Sequence, residues 1–113
     1  MVKSYEPKQG DIVWVNFDKT KGHEQKGKRP ALVISKSAYN KKVGLALMCP
    51  ITSNEKGYPF EVKLKSTKVS GVVLADQVRT LDWKERKIEF AEKPSSGVIK
   101  KVIEKITLLL DEN

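Results

Sequence analysis

The run Gly22-His23-Glu24-Gln25-Lys26-Gly27-Lys28-Arg29-Pro30 gathers an imidazole, a carboxylate, an amide and three cations within nine residues. Each type can do distinct chemistry. An imidazole titrates near neutrality and can move a proton without special tuning. A carboxylate can do the same once its pKa is raised or a neighbour organises it. A guanidinium presents a planar fork of donors matched to phosphate oxygens and stays charged at any ordinary pH. Burying so many unpaired charges would cost too much, so the segment is expected as an exposed loop, where binding and catalytic groups concentrate.

Two further polar clusters interrupt apolar runs. Pro50-Ile51-Thr52-Ser53-Asn54-Glu55-Lys56-Gly57-Tyr58 follows Leu45-Ala46-Leu47-Met48-Cys49, and Asp76-Gln77-Val78-Arg79-Thr80 follows Val72-Val73-Leu74-Ala75. Hydroxyls, amides and cations leaving neighbouring strands could converge on one rim, as a site for a polyanion requires. Read structurally, Thr52 could satisfy its own turn, Asp76 could cap the turn after Ala75, and Arg29 could be an exposed cation beside Pro30.

The elements that must hold these clusters are short. Ile12-Val13-Trp14-Val15-Asn16-Phe17 is rich in β-branched and aromatic residues, Pro30 to Ser35 and Leu45 to Cys49 are near-continuous apolar runs, Phe60 to Leu64 alternates, Gly71 to Ala75 is apolar, and Lys87 to Phe90 alternates. These six strand signals predict a curled sheet or small barrel. After Pro94-Ser95-Ser96, apolar residues recur at Val98, Ile99, Val102, Ile103, Ile106, Leu109 and Leu110, with Lys100, Lys101, Glu104 and Lys105 between them. That period predicts one amphipathic helix from about Ser96 to Leu110, packed on the sheet. Ser35 to Tyr39 and Leu81 to Arg86 are expected to add single helical turns.

With 113 residues the chain is expected to be one domain spanning 1–113. Its 22 Lys and Arg exceed 14 Asp and Glu by 8, and this formal charge of +8 predicts an anionic partner, nucleic acid being the commonest. The single cysteine, Cys49, has no partner for an intrachain disulfide and lies in an apolar run, consistent with a small buried group in a reducing cytoplasm. One Cys and one His are too few for an ordinary zinc site, and no metal or cofactor is expected. No segment approaches the roughly 18 apolar residues of a membrane span, and the N-terminus lacks an apolar leader core, so a soluble cytoplasmic protein is expected.

Gly10-Asp11-Ile12-Val13-Trp14-Val15, Gly22-His23-Glu24-Gln25 with Arg29-Pro30, Pro50-Ile51-Thr52, Gly57-Tyr58-Pro59-Phe60 and Ala75-Asp76-Gln77-Val78-Arg79-Thr80 together resemble the MazF/PemK/Kid toxins of bacterial toxin-antitoxin pairs. The likeness runs in order along nearly the whole chain. It implies a mainly β fold, an SH3-like small barrel of the CcdB/PemK type with a C-terminal helix, assembled as a homodimer. The implied activity is sequence-specific cleavage of single-stranded RNA, including mRNA, without a metal. Attack by the 2′-OH leaves a 2′,3′-cyclic phosphate and a 5′-OH, and the outcome is arrested translation and growth. A cognate antitoxin with an acidic, largely disordered segment is the implied partner. A non-catalytic nucleic-acid-binding module, or a gyrase-targeting toxin of the CcdB kind, stands as the alternative on the same fold.

Carried onto this chain, the resemblance gives Arg29 the stabilisation of the phosphorane and Thr52 a hydrogen bond to a phosphate oxygen. It leaves His23 and Glu24 competing for the proton transfer. Lys21, Lys28, Ser53, Asn54, Lys56, Asp76, Gln77 and Arg79 are candidates for RNA binding. The chain departs from one branch of the family at Leu74, where that branch has an arginine two residues before the aspartate. The role of Asp76 is thereby left open between orienting a cation, reading a base edge and capping a turn. Tyr39, Tyr58 and Trp83 are aromatic candidates for stacking on bases, with packing as the competing explanation.

Overall fold

The computed structural model describes residues 5–17, 27–65 and 67–112. The order of elements is β1 (Ile12–Asn16), β2 (Lys28–Val33), α1 (Ser37–Val43), β3 (Leu45–Thr52), β4 (Glu61–Lys63), β5 (Val72–Leu74), β6 (Arg79–Asp82), β7 (Glu89–Glu92) and α2 (Ser96–Leu110). All strand pairs among the described residues are antiparallel. They connect in the order β4-β5-β3-β2-β1-β7, with β6 joining β3.

The long strand β3 organises this sheet. One side of it pairs with β2 through Ala31–Pro50, Leu32–Cys49 and Val33–Met48. Its other side is shared, the first half taking β6 from Leu45–Asp82 to Met48–Arg79 and the last residues taking β5 at Ile51–Val73 and Thr52–Val72. Alternation along the strands divides the core in two. Ile12, Leu32, Cys49, Ile51 and Val73 pack on one face with Val98 and Val102 of α2, whereas Val13, Val15, Ala31, Val33, Ala46 and Met48 meet Leu81, Trp83 and Ile88 on the other.

The helix α2 spans Ser96–Leu110 as its periodicity predicts, and Ser95 is its N-cap, although no side-chain hydrogen bond closes that cap. Only the first half of its stripe is core. Val98 and Val102 are buried and Ile99 and Ile106 half-buried, but Ile103, Leu108, Leu109 and Leu110 are exposed. Two further differences concern the strands. β3 continues through Pro50 to Thr52, into residues that the sequence places in a loop, and Arg79–Asp82 is a strand where a polar cluster and a helical turn are expected. Pairing with β3 overrides the polar composition in the second case. The segment from Ser37 forms a two-turn helix instead of a single turn, ended by Gly44 at φ 81°, whose N–H donates to the Asn40 carbonyl at 2.9 Å.

Asn40 is fully buried and serves as a polar tie. Its amide donates to the carbonyls of Pro7 and Ser35, and its own carbonyl accepts from the Trp83 indole N–H at 3.0 Å. Asp11, also buried, accepts from the Tyr5 hydroxyl and the Lys8 N–H and pairs with Lys93 at 3.0 Å. The Gly10-Asp11 motif thus anchors the chain entering β1.

Candidate active site

Arg29 and Thr52 lie on β2 and β3, each two residues beyond Ala31–Pro50, the last pair of the ladder that joins those strands; Arg29 pairs instead with Val15 of β1 and Thr52 with Val72 of β5. A cleft of about 540 Å³ opens there, lined by Trp14, Arg29, Pro30, Ile51, Thr52, Ser53, Lys68, Val69, Ser70 and Ala91. Its polar groups are a guanidinium, an ammonium and three hydroxyls, a set rich in donors. Such a lining matches an anionic diester better than a neutral or cationic ligand.

Thr52 is held by its neighbours. Its Oγ1 accepts the Asn54 N–H at 3.1 Å, which closes the turn leaving β3, and a hydroxyl that accepts in this way keeps its own hydrogen for donation. On the other side, Gly71 has φ 122°, and a Cβ there would stand 2.2 Å from the Thr52 carbonyl oxygen. Only glycine permits that approach. Lys68 and Ser70 reach the cleft from the chain leading to Gly71, and Trp14 from the cross-strand pair it makes with Pro30. These three were not singled out as site residues in the sequence. A Lys and a Ser just ahead of a glycine between two strand signals was the available hint.

His23, Glu24 and Lys21 lie outside the described residues. The two ends of that segment are nonetheless fixed: Asn16 pairs with Lys28, a Cβ on Gly27 would meet the Asn16 side chain at 2.9 Å, and Arg86 donates to the carbonyls of Asn16 and Phe17 at 2.6 and 2.8 Å. Lys28 is ion-paired to Glu89 at 3.2 Å, so part of its charge is already engaged.

The third cluster stands apart from the cleft. Arg79 pairs with Met48 in β6 and β3, and its guanidinium lies 5.2 Å from the Phe17 ring centre, a cation–π distance. Gln77 is exposed, with its backbone N–H tied to the Leu74 carbonyl at 3.1 Å. Asp76 accepts the hydroxyl of Tyr58, which joins this cluster to the loop after β3. Within that loop Ser53, Asn54 and Lys56 are exposed, and Glu61 accepts the N–H groups of Lys56 at 3.0 Å, Gly57 at 2.9 Å and Tyr58 at 3.3 Å. Those donors hold the Glu61 carboxyl below the usual carboxylate range, the Lys56 N–H contributing most. The Tyr58 hydroxyl is pushed up, chiefly by its bond to Asp76. Of the stacking candidates, Trp83 is core while Tyr39 and Tyr58 are exposed. Among the described residues no three His, Cys, Asp or Glu side chains are grouped as a metal site would need.

An antiparallel sheet backed by a C-terminal helix, with a donor-lined cleft at the end of its central strands, defines a small β domain suited to an anionic chain. Residues 8–110 match the family model for the PemK-like, MazF-like toxin of type II toxin-antitoxin systems. The chain is 52% identical over 86 residues to the endoribonuclease toxin MazF of Escherichia coli K12, covering 76% of this chain and 78% of that one. It is 31% identical over 107 residues to the endoribonuclease PemK of Escherichia coli, covering 90% and 80%. MazF from Deinococcus radiodurans superimposes with a TM-score of 0.84 at 50% identity over 94% of this chain and 97% of that one. The MazE-MazF structure from the same organism gives 0.85 at 45% identity over 96% and 99%. The chain belongs to the PemK-like, MazF-like toxin family.

Proposed function

We propose that this toxin is an endoribonuclease that cuts single-stranded RNA, mRNA included, at short sequences by attack of a 2′-OH on the adjacent phosphorus. The products are a 2′,3′-cyclic phosphate and a 5′-OH, and the consequence is arrest of translation and growth. The observation that carries this reading is the single cleft shared by Arg29, Thr52 and Ser53 in a chain of net charge +8. Bound there, the scissile phosphate receives the Arg29 fork on its non-bridging oxygens and the Thr52 hydroxyl beside it, both aimed at charge that grows as the phosphorane forms. Lys68 adds a further cation at the rim.

Proton transfer falls to His23 or Glu24. Both belong to the segment whose ends are clamped at Asn16–Lys28 and Gly27, two residues from Arg29 along β2. Lys21, Asn54, Lys56, Gln77 and Arg79 hold flanking nucleotides. The antitoxin is an acidic peptide that competes for the same cations; the MazE-MazF structure among the similar ones supports the existence of such a partner, and the net charge of +8 supports its acidity. The toxin acts in the cytoplasm as a homodimer, and the apolar end of α2 offers surface that a second copy would cover. Among the described residues no helix is long and apolar enough to cross a membrane.

The deciding experiment compares a synthetic RNA with the same oligonucleotide carrying a 2′-deoxy sugar at the cut, both in EDTA. Cleavage of the RNA alone, ending in a cyclic phosphate, is expected. Cleavage of both, or of no member of a randomised RNA library, would overturn the mechanism.

A further inference from the structure

Tyr58 lies in an exposed loop, and its side chain is itself 39% exposed, yet it is fixed at every part. Its N–H donates to Glu61, its ring meets Phe60 edge-on with centres 6.2 Å apart, and its hydroxyl donates to Asp76. The loop around it is stitched to its surroundings. The Phe60 carbonyl accepts the Ala75 N–H at 2.9 Å, and Lys105 of α2 donates to the Pro59 carbonyl at 2.6 Å. Gly57 turns the chain at φ 78°, and the Lys56, Gly57 and Glu61 contacts hold that turn.

An exposed aromatic ring ordinarily loses rotamer freedom when a ligand arrives. Here that cost is met within the fold, which is the property of a preorganised binding group. The two carboxylates beside the ring are already engaged, Glu61 by the N–H groups of Lys56, Gly57 and Tyr58 and Asp76 by the Tyr58 hydroxyl, and Lys56 in the same exposed loop supplies an ammonium for the phosphate of a base stacked on the ring.

We propose that the Tyr58 ring is a fixed stacking platform for one unpaired base of the RNA, and that Glu61 and Asp76 are positioning residues that hold it there. The inference rests on the ribonuclease reading above and deepens it. It also assigns Asp76: its carboxylate is committed to the Tyr58 hydroxyl and sets that ring instead of reading a base edge.

The test uses the shortest RNA that the wild-type chain cuts from a randomised library, remade with a 2′-deoxy sugar at the cut so that it binds without reacting. Tyr58→Ala is expected to weaken binding about 5- to 100-fold, the range for loss of one stacked base. An abasic nucleotide at one position should weaken wild type by a similar factor and Tyr58→Ala hardly further. Tyr58→Phe keeps the ring, folds, and should lose about 2- to 10-fold through release of the hydroxyl. Asp76→Asn, whose amide oxygen still accepts that hydroxyl, should bind as wild type, whereas Asp76→Ala should match Tyr58→Phe. The inference is overturned if Tyr58→Ala binds as tightly as wild type, if every abasic position penalises both proteins equally, or if Asp76→Asn loses as much as Asp76→Ala. A wild-type protein that binds the RNA pool without cutting it would fail the ribonuclease reading alone, and the same comparisons on an oligonucleotide selected from that pool by binding would still decide the role of Tyr58.

Discussion

Arg29 of β2 and Thr52 of β3 line one cleft, each two residues beyond Ala31–Pro50, the last pair of the ladder that joins their strands. Both are carried by strands and not by a long loop.

Arg29→Ala should therefore lower the cleavage rate constant by about 10²- to 10³-fold, the range for removing one donor from a developing oxyanion. Arg29→Lys should recover little, since an ammonium cannot reproduce the planar fork. Because Arg29 is exposed, stability should change by no more than about 0.5 kcal/mol. Single-turnover kinetics beside a thermal melt separates the two quantities, and a large fall in melting temperature would make Arg29 structural.

Gly71→Ala probes the back wall of the same cleft. The added methyl would stand 2.2 Å from the Thr52 carbonyl oxygen at a φ of 122°. The chain must shift, with a loss of about 1–3 kcal/mol and a displaced Thr52. Calorimetry and cleavage assays should both report it, and an unchanged rate would mean that Thr52 does not need its place.

Acid should loosen the loop after β3. Glu61 has its pKa held below its ordinary value of 4.5, so between the two values the unfolded chain binds more protons than the folded one. Its contribution to stability is complete above about pH 4.5 and drains away as pH falls through the lowered value. Amide chemical shifts of residues 56–58 followed from pH 6 downward should move together below about 4.5, and should no longer do so in Glu61→Gln. Shifts that stay flat in wild type would break the assignment.

Cys49 should resist alkylation in the folded protein. It is fully buried, and burial, with a smaller push from Asp76, raises its thiol to about 12. At pH 8 almost no thiolate exists to react. Labelling should wait for urea, and rapid modification of the native chain would contradict its placement.

Much of this was legible in the residues. The helix from Ser96 to Leu110 and the apolar cores of β1, β2 and β5 follow from periodicity, which burial enforces residue by residue. Arg29 and Thr52, singled out by the likeness of their neighbours Pro30, Pro50 and Ile51 to a family pattern, line one cleft in the structure. β6 was missed because Arg79 and Thr80 are polar, and pairing with Leu47 and Met48, more than thirty residues away, makes them strand. Lys68 and Ser70 were missed for a related reason, since only the close packing of Gly71 on Thr52 carries them to the cleft. The exposure of Leu108 to Leu110 depends on tertiary packing, and no local pattern encodes that.

The continuous strand β3 acts as a ruler. Four residues separate Met48, beside Arg79, from Thr52 at the cleft, a rise of roughly 13 Å. Inserting one residue would turn every later side chain to the opposite face and empty both cores. The spacing between Arg79 and Thr52 is thus frozen by the hydrophobic pattern, and freedom to vary the polar surface around them is left to the loops on either side.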